Sequence, residues 1–261
     1  LYQAIIEQSQ ESDISIIAHP SREIPYMEQF HSQIASIEHA EEIVQQALNY
    51  QLDSLKVEPI IRKFVTTNKS FCPTLTGYYK IFEMLEGDEN ILKTGDIAQY
   101  NRWASEKENN SSITANIYQQ HQFHLYIVKR MHEEGVNIVC GTDAGIGITT
   151  AGYSIHQELA FYQEAGLSNF ETLKTATVNP SKTHKEFEQM GTIEKGKLAN
   201  FVVTSNNPLE DLNELSKPEW VMVNGRKINK ETLKEFTDKA RDRSSLLVTA
   251  LRYAEYLMVE R

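Results

Sequence analysis

The sequence predicts an α/β fold built on a parallel sheet, followed by a smaller β-rich part and a helical tail. Along the first two thirds of the chain, short apolar runs alternate with helical stretches, which is the order expected when helices join parallel strands. From Met190 the pattern changes to short alternating strands, and Asn224-Gly225 favours a tight hairpin. We therefore expect three parts, residues 1–189, 190–230 and 231–261.

Four apolar runs have the length and composition of short buried strands. The first is stopped by His19-Pro20, because proline cannot donate to a sheet ladder. The second is followed by His39, and the fourth leads through a glycine to Asp143. The runs span residues 14–18, 34–37, 70–75 and 136–140. Three side chains with functional potential therefore follow directly on predicted strands.

Helical stretches separate these runs. Residues 1–10 predict the end of a surface helix, and a solvated helix is expected around Glu28. The long stretch after the second run is predicted to break at Pro59, since proline removes a helix hydrogen bond. Residues 77–116 form a long polar excursion, which is typical of a lid or a substrate wall. A helix over 117–134 then feeds the fourth strand.

The part after Asp143 begins with two predicted helices and ends in strands. A helix over 154–165 should stop at Gly166. Ser168 and Glu171 form a capping box, which opens a second helix reaching to about residue 178. Amphipathic helices are expected from residue 231 onward. Strands are expected at residues 191–193, 201–203 and 220–223.

Composition excludes several classes of function. The net charge of −10, from 36 acidic residues against 26 Lys and Arg, argues against a nucleic-acid partner, which needs clustered cations. We expect no transmembrane segment and no signal peptide, and the compartment stays open. The two cysteines, Cys72 and Cys140, exclude a disulfide scaffold. We expect them on neighbouring strands as small buried apolar residues.

The strand-end residues His19, His39 and Asp143 are predicted to converge, because the carboxyl ends of parallel strands share one edge of a sheet. Two imidazoles and a carboxylate suit zinc or another first-row divalent ion, which lowers the pKa of bound water. A carboxylate at that water can serve as its general base. Each residue also has a plainer alternative, since single histidines are more often structural and Asp143 could cap the following segment.

The segments that carry these residues resemble strands five to eight of the amidohydrolase superfamily. They read IAH at 17–19, SIEHA at 36–40, CPTL at 72–75 and GTDAG at 141–145. Further segments match the family in the same order, namely HQEL at 156–159, ATVNP at 176–180, GTIEKGKLANF at 191–201 and NPLED at 207–211. Within the superfamily the sequence is most similar to the imidazolonepropionase-related and Xaa-Pro dipeptidase-like group.

The resemblance implies a metal-dependent (β/α)8 TIM-barrel hydrolase with part of a small β-sandwich. It implies that His19 and His39 hold one divalent metal ion, and that Asp143 binds a second and carries the proton to the leaving amine. His156 resembles a family histidine that contacts the substrate, although a residue facing water at the start of a helix is the alternative. The implied cofactor is zinc, as one or two ions.

The sequence also departs from the family pattern. Neither the family's His-x-His pair of strand one nor its bridging carboxylated lysine of strand four is present. We count four strand-helix repeats where a full barrel has eight, and therefore expect the carboxyl-terminal half of a longer enzyme. A half-barrel exposes sheet edges, so we expect association with a missing amino-terminal half or a homo-oligomer.

The implied function is hydrolysis of an amide or peptide-like C–N bond in a small-molecule or dipeptide-like substrate. Tyr78, Tyr79 and Trp103 are candidates for a wall against an apolar side chain or a proline ring, but such aromatics also pack into cores. One rival is a one-metal deaminase, whose glutamate three residues after the strand-five histidine is replaced here by Arg22, with Glu23 one later. The second rival is a non-catalytic half-barrel that acts as a binding or assembly module.

Overall fold

The computed structural model describes residues 1–87, 97–145, 149–183 and 185–241, and these residues adopt an α/β architecture with two three-stranded sheets. The first sheet is parallel, in the order β1-β2-β3, and the second is antiparallel, in the order β4-β5-β6. The strands are β1 (Ile16–Ala18), β2 (Ile34–Glu38), β3 (Ser70–Cys72), β4 (Phe201–Val203), β5 (Trp220–Val223) and β6 (Arg226–Asn229). The predicted α/β class is confirmed.

Helices connect the parallel strands and cover the sheet. They are α1 (Tyr2–Ser12), α2 (Ala40–Glu42), α3 (Ser54–Thr67), α4 (Leu75–Leu85), α5 (Ile97–Asn109), α6 (Ile113–Glu133), α7 (Ser154–Glu164), α8 (Asn169–Thr175) and α9 (Lys230–Arg241). One buried apolar cluster joins the sheet to α3, α6 and α7. Its largest fully buried members include Phe64, Phe71, Ile127, Ile138 and Tyr162.

The fourth predicted strand is present only as a short parallel bridge between Phe71 and Ile138. The amide of Phe71 donates to the carbonyl of Asn137 at 3.0 Å, and the amide of Val139 donates to the carbonyl of Phe71 at 2.9 Å. This segment therefore extends the order of the sheet beyond β3, as the sequence predicts. The chain then leaves the sheet, since the amide of Cys140 bonds to the carbonyl of Thr175 at 2.9 Å.

The predicted break at Pro59 is wrong, because Pro59 lies inside α3. The helix begins after Asp53, whose side chain accepts a hydrogen bond from the amide of Leu55 at 2.9 Å. A proline inside a helix costs about 3 kcal/mol. The buried face of α3 outweighs this cost, since each buried aliphatic or aromatic side chain contributes about 1.5–3 kcal/mol. That face consists of Val57, Ile60, Ile61 and Phe64.

Two further helical predictions also need correction. The region 77–116 was expected to be a long polar excursion, but its described residues lie mostly in α4, α5 and the start of α6. It is helical because α4 packs against both α5 and α6 and buries Leu75, Met84 and Leu85. The helix expected around Glu28 is a single 3-10 turn, Tyr26–Glu28, whose first residue is buried.

The predictions for the second half are confirmed at its turns and caps. The helix α7 is followed by Gly166 at a φ of 105°, and the capping box of Ser168 and Glu171 opens α8. Asn224 and Gly225 have φ angles of 48° and 78° and join β5 to β6, as expected for a tight hairpin.

The strand predicted at 191–193 is absent from the described residues. A Cβ on Gly191 would lie 2.6 Å from the carbonyl oxygen of Thr177. This segment therefore packs closely against backbone instead of pairing in a sheet. The division into three parts, the half-barrel assignment and the β-sandwich stay predictions, and residues 242–261 of the expected helical tail lie outside the described residues. None of the helices described is long and apolar enough to span a membrane.

Candidate metal centre

Two of the predicted ligands meet at the carboxyl edge of the parallel sheet. His19 follows β1 and His39 follows β2, and these strands are hydrogen-bonded neighbours. Their imidazole ring centroids lie 4.6 Å apart with an interplanar angle of 57°. The short strands bring the rings together because both strands end at the same edge.

The backbone is strained at three positions on this edge. His39, Thr74 and Asp143 have φ angles of 70°, 51° and 52°. These residues follow β2, β3 and the bridge segment around Ile138. A positive φ is uncommon for residues other than glycine, and it is a marked outlier for a β-branched threonine. Strain of this kind collects at functional sites, where the surrounding structure holds it, and it supports the choice of this edge as the site.

The ring of His39 is fixed through its Nδ1 atom. This nitrogen lies 2.8 Å from Thr74 Oγ1 and 3.7 Å from Glu41 Oε1. Burial lowers the pKa of His39, and nearby His19 lowers it further, whereas Asp143 and Glu42 act in the opposite direction. A lowered pKa favours the neutral imidazole that binds metal ions. With Nδ1 engaged, Nε2 is the atom of His39 that remains for a ligand.

His19 is more exposed and is flanked by a buried carboxylate. Its side chain is 58% exposed, and its Nε2 lies 3.5 Å from Glu42 Oε1. Glu42 also accepts hydrogen bonds from Arg22 Nη2 at 3.0 Å and from Gln46 Nε2 at 2.6 Å. Glu42 is therefore a bound acceptor that orients its neighbours. This arrangement leaves the other ring nitrogen of His19, Nδ1, on the side away from Glu42.

Asp143 is placed at the same edge but does not complete a ligand cluster. Its side chain is exposed, and its backbone carbonyl accepts a hydrogen bond from Thr149 Oγ1 at 2.9 Å. Its charge acts on His39 and on Glu41, because it raises the pKa of both. Within the described ranges, no three His, Cys, Asp or Glu side chains are arranged to hold a metal ion. The structure thus joins His19 to His39, and among the described residues Asp143 does not complete a three-ligand group with them.

The two predicted substrate residues lie on two different helices, α7 and α4. His156 is in the first turn of α7, and partial burial lowers its pKa. Tyr78 is on α4, where its ring contacts the ring of His124 of α6 at a centroid distance of 4.9 Å. Burial raises the pKa of Tyr78, with a further contribution from Glu41. Their roles toward a substrate stay predictions.

Two carboxylates that the sequence analysis missed lie close to this edge. The Oε2 atom of Glu41 is sealed from water and has no hydrogen-bond partner among the described residues. Burial raises the pKa of Glu41 to about 8, with smaller contributions from Glu42, Asp143 and Glu158. Burial also raises the pKa of fully buried Glu158 to about 7. The acidic run 41–42, which begins two residues after His39, is the sequence signal from which Glu41 could have been found.

The fold and the edge together define a parallel α/β protein with paired histidines at the carboxyl ends of its strands. Residues 110–228 match the family model described as the Amidohydrolase family. This match, which covers just under half of the chain, and the similarity of fold support the predicted resemblance to the amidohydrolase superfamily. The superfamily consists of hydrolytic enzymes that act on C–N bonds and generally use divalent metals.

Solved structures share the fold at low sequence identity. A bottromycin amidohydrolase matches with a TM-score of 0.71 and 18% identity over 94% of this chain and 56% of its own. A Xaa-Pro dipeptidase with bound methionine matches with a TM-score of 0.62 and 19% identity, over 87% of this chain and 47% of its own. The ochratoxinase of A. niger matches with a TM-score of 0.59 and 20% identity, over 86% of this chain and 44% of its own. The chain thus spans about half the length of these proteins. A search of curated sequences finds no match.

The donor chemistry of the edge fits a divalent cation. Burial lowers the pKa of His39 and so favours its neutral form, and its Nδ1 atom lies 2.8 Å from Thr74 Oγ1. Histidine ligands are commonly oriented by such a second group. The ring of His19 lies beside it. The orphaned Oε2 atom of Glu41 is a buried acceptor without a donor, which is costly unless a cation or proton compensates it.

Proposed function

We propose that this chain contributes the histidine-bearing part of a metal-dependent hydrolase site that cleaves amide or peptide-like C–N bonds in small-molecule or dipeptide-like substrates. His19 and His39 hold one divalent ion, with zinc as the expected metal. The observation that carries the proposal is the pair of imidazole rings at the carboxyl edge, whose centroids lie 4.6 Å apart. The Nδ1 atom of His39 already contacts Thr74 Oγ1.

His19 and His39 would hold a divalent ion, which would lower the pKa of a bound water molecule toward neutral pH. The chain's own residues do the rest. Asp143 follows the fourth strand segment with an exposed carboxylate, which accepts the proton of the attacking water and returns it to the leaving amine as a general base and then a general acid. The Tyr78 ring and the His156 ring are proposed to contact the substrate.

The environment of Arg22 supports hydrolysis over deamination. The deaminase glutamate expected at this position would present a carboxylate to the site, whereas Arg22 presents a guanidinium that binds Glu42 at 3.0 Å. This ion pair engages the Glu42 carboxylate, and position 22 itself supplies no carboxylate for general acid-base catalysis. The chemistry at the end of β1 is therefore proposed to depend on the histidine and on Asp143.

A kinetic comparison of three proteins tests the proposal. The full 261-residue chain, loaded with Zn²⁺, is assayed against a panel of dipeptides and N-acyl amino acids. We expect hydrolysis above the rate of free Zn²⁺, and a loss of about 10²–10⁴-fold in Asp143→Asn, the usual contribution of a general base. The matched control Asp238→Asn changes an exposed carboxylate on α9 and should retain full activity.

Two outcomes would contradict this function. Equal rates for Asp143→Asn and the unaltered chain would remove Asp143 from the chemistry. Metal binding without hydrolysis of any substrate in the panel would favour the alternative, a half-barrel that acts as a binding or assembly module. This alternative is favoured by one observation: the chain corresponds to only about half of each compared structure.

A further inference from the structure

The amino terminus of α4 is capped by a residue from another helix. Thr74 occupies the N-cap position, where a threonine hydroxyl normally accepts a hydrogen bond from one of the first helix amides. Thr74 makes no such bond. The amides of Leu75 and Thr76 instead donate to the carboxylate of Glu158, at 3.0 Å and 2.8 Å. Glu158 therefore performs the capping task that the local sequence assigns to Thr74.

Glu158 is fully buried on α7, where its carboxylate accepts several hydrogen bonds from α4. Its Oε2 atom also accepts a hydrogen bond from Thr76 Oγ1 at 2.8 Å. The carboxylate lies at a helix N-terminus, where unpaired amides and the helix dipole favour negative charge. Three hydrogen bonds from α4 make this a rigid contact between α7 and the turn after β3. The same helix reaches the turn after the fourth segment, because Ser154 Oγ bonds to Thr142 Oγ1 at 3.0 Å.

Release of the Thr74 hydroxyl from capping has a consequence for His39. Thr74 has a φ of 51°, a conformation that costs of order 1–3 kcal/mol for such a residue and persists only when its surroundings enforce it. Glu158 enforces it by holding the two amides that follow. In this conformation Thr74 Oγ1 lies 2.8 Å from His39 Nδ1.

We propose that Glu158 and Thr74 are positioning residues for His39: Glu158 caps α4 in place of Thr74, and the freed Thr74 hydroxyl accepts a hydrogen bond from the Nδ1–H group of His39. The Nε2 lone pair of His39 is then directed to the metal. Partners that fix the tautomer of a histidine ligand typically change metal affinity by 10–100-fold. The part concerning metal rests on the proposed function, whereas the tautomer of His39 does not.

Nuclear magnetic resonance of the metal-free chain tests the tautomer. Long-range ¹H–¹⁵N correlations of the His39 ring, in protein labelled with ¹⁵N-histidine, report which nitrogen carries the proton. We expect the Nδ1–H form in the unaltered chain and in Thr74→Ser, which keeps the hydroxyl. We expect a shift toward the Nε2–H form in Thr74→Val and in Glu158→Gln, where one amide of α4 loses its acceptor and Thr74 returns to capping.

Zinc affinity, measured by competition with a chromogenic chelator, is the second readout. Thr74→Val should bind Zn²⁺ about 10–100-fold more weakly, and Thr74→Ser should restore the affinity to within about threefold of the unaltered chain. Thr66→Val is the matched control, because the Thr66 hydroxyl is exposed and bonds only to a carbonyl within α3. Circular dichroism verifies that each variant is folded.

Each outcome decides one part of the proposal. An Nε2–H form in the unaltered chain, or an unchanged tautomer in Thr74→Val, overturns the role of Thr74. An unchanged tautomer in folded Glu158→Gln overturns the role of Glu158. If the tautomer shifts as expected but the unaltered chain binds no Zn²⁺, the positioning of His39 stands and the proposed metal-dependent function fails.

Discussion

Gly141, at the end of the fourth strand segment, lies so close to Cys72 that a methyl group does not fit between them. A Cβ built on Gly141 would lie 2.4 Å from Cys72 Sγ, and Cys72 is only 5% exposed. Nonbonded heavy atoms normally approach to about 3.5–4.0 Å, so one of the two groups must move by about 1 Å. Since overpacking of this kind costs typically 1–3 kcal/mol, we predict that Gly141→Ala lowers the free energy of unfolding by about 2 kcal/mol.

A double-mutant cycle isolates this clash from other effects of the substitution. Cys72→Ala removes Sγ and should cost about 1 kcal/mol through a small cavity. In the double variant the nearest remaining atom to the new methyl group is Thr74 Cγ2 at 3.8 Å, an ordinary contact. The double variant should therefore be no less stable than Cys72→Ala alone, which gives a coupling energy of about 2 kcal/mol.

Urea unfolding followed by circular dichroism, with equal m values for all variants, measures the four corners of the cycle. Gly77→Ala is the matched control, because Gly77 lies inside α4 and its new Cβ would meet Thr149 Cγ2 only at 4.0 Å. It should be neutral or stabilise by up to about 1 kcal/mol. Additive losses in the cycle, or a Gly141→Ala variant as stable as the control, would refute the close approach of the fourth segment to β3.

Three other predictions follow from buried or capped groups. His121 and His124 are fully buried, with no partner for their ring nitrogens within the described residues, and burial lowers their pKa values from 6.5 to about 4 and about 3. Below pH 6.5 the unfolded state binds more protons than the folded state. Each of these histidines should therefore lower the free energy of unfolding by about 1.4 kcal/mol for every unit by which the pH falls. Ser168→Ala should cost about 1 kcal/mol in urea unfolding through loss of its cap. The thiols of Cys72 and Cys140, whose pKa values burial raises, should react slowly with iodoacetamide in the native protein.

Each of these predictions has its own control. A double variant with leucine at 121 and 124 should show a flatter dependence of stability between pH 6.5 and about pH 4, and an unchanged slope would contradict the burial of neutral rings. Ser168→Asp keeps an acceptor at the cap and should retain stability, so equal losses for both Ser168 variants would exclude capping as the cause. Rapid alkylation of either thiol before unfolding would contradict its burial.

The pairing of His19 with His39 was predictable because it depends on a simple rule of sheet geometry. Two short apolar runs that each end in a histidine become neighbouring parallel strands, and their carboxyl ends share one edge. The capping box at Ser168 and the hairpin at Asn224-Gly225 were predictable for a similar reason. In these cases a few adjacent residues determine the local structure.

The errors fall where packing between distant residues overrides local pattern. Pro59 signals a helix end, but the apolar face of α3 is buried on the core and keeps the helix intact. The polar composition of residues 77–116 suggested a long polar excursion, whereas α4 and α5 form because α4 packs against α5 and α6. A local sequence window contains no information about such partners.

The role of Glu158 was unpredictable for the same reason. The local sequence assigns the cap of α4 to Thr74, while the acceptor that replaces it is 82 positions away from Thr76. Only the packing of α7 against α4 brings the two together. Asp143 is the reverse case, since its strand-end position was predicted correctly but the described residues do not form a three-ligand group with it.

The zinc content of the purified 261-residue chain, measured by mass spectrometry after dialysis against a low concentration of Zn²⁺, tests the central claim most directly. We predict about one ion per chain, because the paired imidazoles form one site, and its loss in His39→Ala. The control His31→Ala changes a histidine that is not at the strand ends and should retain the ion. No bound zinc in the unaltered chain, or equal zinc in His39→Ala, would contradict a metal centre formed by His19 and His39.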